Sequence, residues 1–159
     1  MTLERWSQIG WIEPADPTVG EIAGLLKVVN RDLSDSRASG LSIDGRFQHA
    51  YDAGLQLCMV ALRASGYRVT KGPGHHKNGI GSLRLTLGED ERETMDHLER
   101  CSRLRGQTVY ERIGVVSPQD ARDLLETVEG LRAKVLAWLR EQHPDLVPPE
   151  LRTVQTGPA

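Results

Sequence analysis

The chain has 159 residues, 38% of them hydrophobic, and a formal net charge of -2 at pH 7. That length suits one domain with a sizeable core, and the near-neutral total excludes a global attraction to nucleic acid or membrane. No apolar run approaches a membrane span, no basic segment leads into an apolar h-region, and the two cysteines lie on apolar helical faces as reduced core thiols, so a cytoplasmic, non-membrane protein is expected.

Residues 1–17 read as an N-terminal arm. Trp6, Ile9, Trp11 and Ile12 suit a clamp onto the bundle or a partner subunit, and Pro14 and Pro17 end it. Residues 18–145 read as a helical bundle. Thr18 caps a first long helix, with Glu21 at N3 completing a capping box and Ile22, Leu26, Val29 and Leu33 as its apolar face. Ser34 to Gly40 is a polar, turn-forming connection.

The stretch from Ile43 to Gly66 is the helix around which the rest packs. Ile43, Phe47, Ala50, Gly54, Leu57 and Ala61 alternate spacings of four and three, and Tyr51, Leu55, Cys58 and Leu62 form a second stripe beside them. Two stripes leave little surface for water. Ser42 supplies the N-cap, and Gly66 can take the left-handed conformation that stops the helix. After it, the Gly and Pro content of YRVTKGPGHHKNG rules out regular structure for most of its length, and Gly72-Pro73-Gly74 reads as a turn, not a phosphate loop.

A short helix is expected over roughly His76 to Leu87, and a fourth over Glu89 to Arg105, acidic first and basic last. Met95, Leu98, Cys101 and Leu104 are its thin core stripe, and the β-branched residues that follow suggest an extended connection. Ser117, Pro118 and Asp120 form a strong helix start, and the last helix carries Leu124, Leu125, Val128, Leu131, Val135, Trp138 and Leu139 before ending near His143 and Pro144. Residues 146–159 read as a flexible tail. Five helices with no convincing paired strands give an all-α, up-and-down bundle.

Charge is distributed less evenly than its total suggests. Ala53 to Gly88 contains no acidic residue, while Arg63, Arg68, Lys71, Lys77 and Arg84 are basic, with His75 and His76 among them. Arg100, Arg103 and Arg105 crowd the end of the fourth helix, and arginine can grip phosphate bidentately. With one short helix between them, the central and fourth helices would run parallel, gathering Arg63, Arg68, Lys71, Arg103 and Arg105 around one cleft. His97 and Cys101 have zinc-ligand spacing, with His75 and His76 as candidates to complete a set from the loop, but an ordinary histidine beside a core cysteine accounts for the pair. No metal and no cofactor is expected.

The run AYDAGLQLCMVALRASGYRV, then GHHKNGIGSLRLTLG, LERCSRLRGQTVYE and VVSPQDARDLLETVEGLRAKVLAWL is similar to the HEPN domain family (higher eukaryotes and prokaryotes nucleotide-binding). The resemblance spans roughly Ser42 to Arg140 and rests on segment order and character, with no single invariant signature. It implies a helical bundle that dimerises with itself, often beside a minimal nucleotidyltransferase in toxin–antitoxin or phage-defence pairs. Active members are metal-independent ribonucleases carrying an arginine, commonly a polar residue next, and a histidine after four to six intervening residues. Here the arginine matches Arg105, the next residue is Gly106, and Tyr110 stands where the histidine belongs. A phenol with an ordinary pKa of about 10 is a poor base at neutral pH. The leading expectation is therefore a HEPN-like homodimer with a degraded catalytic motif, binding RNA, a nucleotide or a nucleotidyltransferase partner through Arg63, Arg68, Lys71, Arg100, Arg103 and Arg105. A residual endoribonuclease toxin using Arg105 and Tyr110, and a non-catalytic scaffold or antitoxin-like protein, are the alternatives. Whether the chain is an enzyme turns on a competent proton-transfer group beside Arg105, which His75, His76 or His97 would supply only if the bundle brings one there.

Overall fold

The computed structural model describes residues 1–110 and 115–152, with the backbone alone for 107–110. It is a small, mostly helical bundle. Helix α1 (Leu3–Gln8) and strand β1 (Ile12–Pro14) precede the long helices α2 (Val19–Ser36) and α3 (Ile43–Ala64). Strand β2 (Tyr67–Val69) and the short helices α4 (His75–Gly81) and α5 (Leu83–Thr86) lead to α6 (Arg92–Tyr110) and α7 (Pro118–Gln142).

Helix α3 is central, as its two apolar stripes require. Phe47, Ala50, Tyr51, Leu57, Cys58, Val60, Ala61 and Leu62 are all fully or almost fully buried. The Ser42 hydroxyl accepts from the Gly45 amide at 3.0 Å. At the other end Gly66, at φ +93°, turns the chain out of the helix in the left-handed region that glycine tolerates. Gly54 is where three helices meet. A Cβ there would stand 2.8 Å from Leu98 of α6 and 3.0 Å from Val128 of α7. The missing side chain is what lets these helices approach α3 so closely.

Contacts between helices fix their directions. Glu21 meets Arg63 and Asp32 meets His49, so α2 and α3 are antiparallel. Asn30 meets Arg132 and Arg37 meets Glu129, so α2 and α7 are antiparallel. Glu91 meets Lys134 and His97 meets Thr127, so α6 and α7 are antiparallel as well. Helices α3 and α7 therefore run one way, and α2 and α6 the other. This corrects the expected parallel course of the central and fourth helices. Two short helices, not one, separate them, because the chain breaks at Ser82, whose buried hydroxyl turns back to the Gly79 carbonyl at 2.7 Å.

Other expectations shift locally. The arm is not merely a clamp: β1 pairs antiparallel with β2, Ile12 opposite Val69, so two short strands do pair. Trp6 and Ile12 bury against Leu62, while Ile9 and Trp11 stay exposed. Thr18 does accept from the Glu21 amide at 3.1 Å, but the Glu21 carboxylate bonds Arg63 and does not close a capping box. Ser117 and Asp120 do close one, with reciprocal bonds of 3.0 and 2.9 Å. The fourth helix opens with a 3-10 turn, Glu89–Glu91, and continues past Arg105 to Tyr110, through Thr108 and Val109. The β-branched penalty of a few tenths of a kcal/mol is too small to end a helix. The rest of the expected extended connection, 111–114, lies outside the described residues. Within 146–159, Val147 is buried and Leu146 and Leu151 pack on the core, and 153–159 lie outside the described residues. No described helix is long and apolar enough to cross a membrane.

Candidate functional site

Helix directions divide the six cationic candidates among three places. Arg63 closes the end of the bundle where α3 finishes. Its guanidinium donates to both Glu21 carboxylate oxygens, at 3.1 and 2.7 Å, and to the carbonyls of Ala15, Asp16 and Tyr67 at 3.0 to 3.2 Å. Only 11% of its side chain meets solvent. The bonded guanidinium holds the Glu21 carboxyl below its usual range, against a smaller opposing effect of burial. Arg68 pairs with Glu13 across the two strands at 2.6 Å, and Lys71 is exposed just beyond β2. Arg63 stands roughly 16 Å along α3 from Asp52, the α3 residue beside Arg105, so these cations do not share a cleft with Arg105.

Arg100 and Arg103, three residues apart, share an exposed face of α6. With Cys101, Leu104 and His97 they form one wall of a cleft of about 470 Å³, and Asp120 and Asp123 of α7 form the other. Arg105 follows Arg103 by two residues, roughly 200° around the helix, and faces inward.

Among the described residues, Arg105 combines a contact on an aromatic face with an unmet buried donor, whereas Arg46 has an unmet buried Nε without the ring. The Arg105 guanidinium carbon lies 5.3 Å from the centre of the Tyr51 ring, a cation–π arrangement on a fully buried aromatic. Its Nε is buried with no hydrogen-bond partner, and among the described residues Arg105 makes no ion pair. The Tyr51 hydroxyl beneath is likewise buried without a well-formed hydrogen bond, although Ser102 stands near enough to oppose the rise that burial gives its pKa. An unmet buried donor costs about 1–3 kcal/mol, which an incoming acceptor would recover.

Two titratable groups flank it. Asp52, half-buried on α3, has its pKa raised, first by burial and then by the Asp32 charge, against the Gln48 amide bonded to it at 2.9 Å and the nearby Arg105. His76, half-buried on α4, has its pKa lowered, first by burial and then by the charges of His75 and Arg105, with Asp52 opposing. His76 is thus held neutral at pH 7, within electrostatic reach of Arg105. The exposed His75 stacks edge-on against it at 4.2 Å. Helix α4 packs on both α3 and α6, which is how it delivers the imidazole. Tyr110 lies on the last turn of α6, and its side chain is outside the described residues.

Sequence reasoning placed Tyr51 in the core stripe and did not select Asp52. The available signal was a carboxylate between Tyr51 and Ala53, in mid-helix where its neighbours are buried. Of the three histidines considered for the proton-transfer role, His76 is the one whose pKa the Arg105 charge lowers. His97 is placed elsewhere: its Nδ1 lies 2.9 Å from the Thr127 hydroxyl, burial and Arg100 lower its pKa, and it faces the α6–α7 cleft. Burial pushes the neighbouring Cys101 thiol up to about 11, so it is no ready thiolate ligand. Among the described residues, the group with three metal-type ligands together is Asp32, Asp35 and His49, where the His49 ring already bonds the buried Asp32 carboxylate at 3.2 Å. No family model matches the chain, and no curated protein or solved structure matches it.

Proposed function

We propose that this chain is a HEPN-like helical domain that binds phosphate of RNA or of a nucleotide, with Arg105 as the phosphate anchor. The observation that carries this reading is the half-buried Arg105 guanidinium, spread on Tyr51, with a buried Nε that nothing in the described chain satisfies. A phosphate oxygen is the acceptor that best suits a planar guanidinium donor. In this reading the chain works in a toxin–antitoxin or defence-type pair.

Fluorescence anisotropy with a labelled oligoribonucleotide, and separately with a labelled nucleotide, tests it. Affinity should fall steeply as salt rises, because phosphate contacts release counterions. Arg105→Ala should weaken binding about tenfold or more, consistent with roughly 1.5–3 kcal/mol for a hydrogen bond to a charged group. Arg132→Glu, on the far side of α7 against Asn30, should change it little. Absence of binding to either probe would overturn the reading and favour a protein partner, such as a minimal nucleotidyltransferase, at the same arginine.

One observation favours the enzyme alternative. The neutral His76 beside Arg105 is a proton acceptor of the kind that Tyr110 lacks. In this second reading the RNA 2′-oxygen attacks the phosphorus held by Arg105 and gives its proton to His76. The bond from phosphorus to the 5′-oxygen breaks, and that oxygen takes a proton from water, leaving a 2′,3′-cyclic phosphate and a 5′-hydroxyl. RNA cleavage by the wild type that His76→Ala abolishes, with binding retained, is the expected signature. Cleavage untouched by His76→Ala would remove His76 from the reaction.

A further inference from the structure

Helices α3 and α7 run the same way and α2 the other, so the first turns of two helices meet the last turn of a third at one end of the bundle. A cavity of about 170 Å³ lies among them. That is roughly room for one benzene ring. Arg37 of α2, Arg46 of α3 and Arg122 of α7 line it with Ile43, Ala121 and Leu125, and no described lining residue is acidic. Two of the three guanidinium groups are engaged. Arg37 donates from Nε and Nη2 to Glu129 at 3.0 and 2.6 Å, and Arg122 donates to its helix neighbour Gln119 at 2.9 Å. Arg46 is not. Its Nε is buried without a hydrogen-bond partner, and among the described residues it makes no ion pair. The apolar wall is open as well: Ile43, which its spacing puts on the core stripe of α3, is 38% exposed.

We infer that this cavity binds a small organic monocarboxylate, with its carboxylate on Arg46 and its apolar body against Ile43, Ala121 and Leu125. A planar guanidinium matches a carboxylate through two parallel hydrogen bonds, and a small apolar pocket with one convergent polar group is the usual form of a small-molecule site. Glu129 already neutralises Arg37, which leaves Arg46, with the exposed Arg122 at the rim, to meet the ligand. That balance suits a singly charged group better than a phosphate dianion. A nucleotide is also too large for the space. Arg46 and Tyr51 stand five residues apart on α3, roughly 140° around the helix, so this site and the one at Arg105 use different faces of α3.

Amide NMR of the full chain, titrated with sodium benzoate at constant ionic strength, tests the site. Benzoate should shift the amides around Arg37, Arg46 and Arg122 saturably, in the millimolar range or tighter. Acetate lacks the apolar body and benzyl alcohol lacks the charge, and each should bind about tenfold more weakly or worse. Arg46→Leu keeps the apolar stem, removes the guanidinium and should weaken benzoate by about tenfold or more. Ile43→Glu, at the exposed rim, should weaken it too by setting a negative charge on the apolar wall, and amide spectra unchanged elsewhere would show that each variant is folded. Arg103→Gln, on the exposed face of α6, should leave benzoate binding intact. Shifts that never saturate, benzyl alcohol or acetate binding as well as benzoate, or a loss on Arg103→Gln equal to that on Arg46→Leu would each overturn the inference. Arg105→Ala should bind benzoate like the wild type, so carboxylate binding here and phosphate binding at Arg105 are scored separately. Benzoate lost with Arg105→Ala and kept with Arg46→Leu would likewise overturn the inference.

Discussion

Arg63 and Arg105 are both arginines on long helices with little or only part of their surface in water, and they do opposite things. Arg63 spends its donors on the protein, tying α3 to α2, to the arm and to β2 through Glu21 and three carbonyls. Arg105 rests on an aromatic ring with an unmet buried donor. A guanidinium that is saturated stabilises the fold, and one that is not keeps its binding capacity for something else. Local sequence does not distinguish them, because what matters is which acceptors the folded chain brings within reach.

The largest expected effect breaks the closed end. Arg63→Ala should cost about 3 kcal/mol in urea unfolding, since it strands carbonyl acceptors and a carboxylate together. Arg105→Ala should stay within about 1 kcal/mol of wild type, because it removes no hydrogen bond among the described residues. Equal losses would dissolve the contrast. Next in size, Gly54→Leu should cost about 1–3 kcal/mol by overpacking Leu98 and Val128, despite leucine's better helix propensity. It should also weaken phosphate binding, because pushing α6 from α3 lifts Arg105 off Tyr51, while the contacts of Arg63 are untouched. A variant melting at or above wild type would mean that Gly54 faces open space.

Two pH experiments sharpen the contrast with smaller effects. The lowered pKa of Glu21 means that its contribution is present above the ordinary carboxylate range and is lost as pH falls through the folded value. The stability gap between wild type and Glu21→Gln should therefore be widest at neutral pH and close below about pH 4.5, the unfolded value. At the other arginine, His76 is held neutral in the free protein, and a bound phosphate would favour its protonated form. Phosphate binding should tighten modestly as pH falls from 7.5 toward 5.5, and His76→Ala should flatten that slope. A pH-independent affinity in the wild type would separate His76 from the bound phosphate.

The sequence alone determined the long helices and most of their inward faces. Ser42, Thr18 and Ser117 mark helix starts by local hydrogen bonds within four residues, and apolar spacing selects a face by geometry that needs no partner. The same local reasoning found the arginines. What it could not decide was their company, since helix direction in the bundle depends on how the chain between Gly66 and Glu89 folds. That segment breaks into a strand and two short helices, and the result sends Arg63 and Arg105 to different places. Asp52, His76 and Tyr51 meet Arg105 only through the packing of α3, α4 and α6, a contact between residues far apart in sequence. Hydrophobic periodicity carries no information about which charged side chain will lie across from another, and that pairing was settled by tertiary structure.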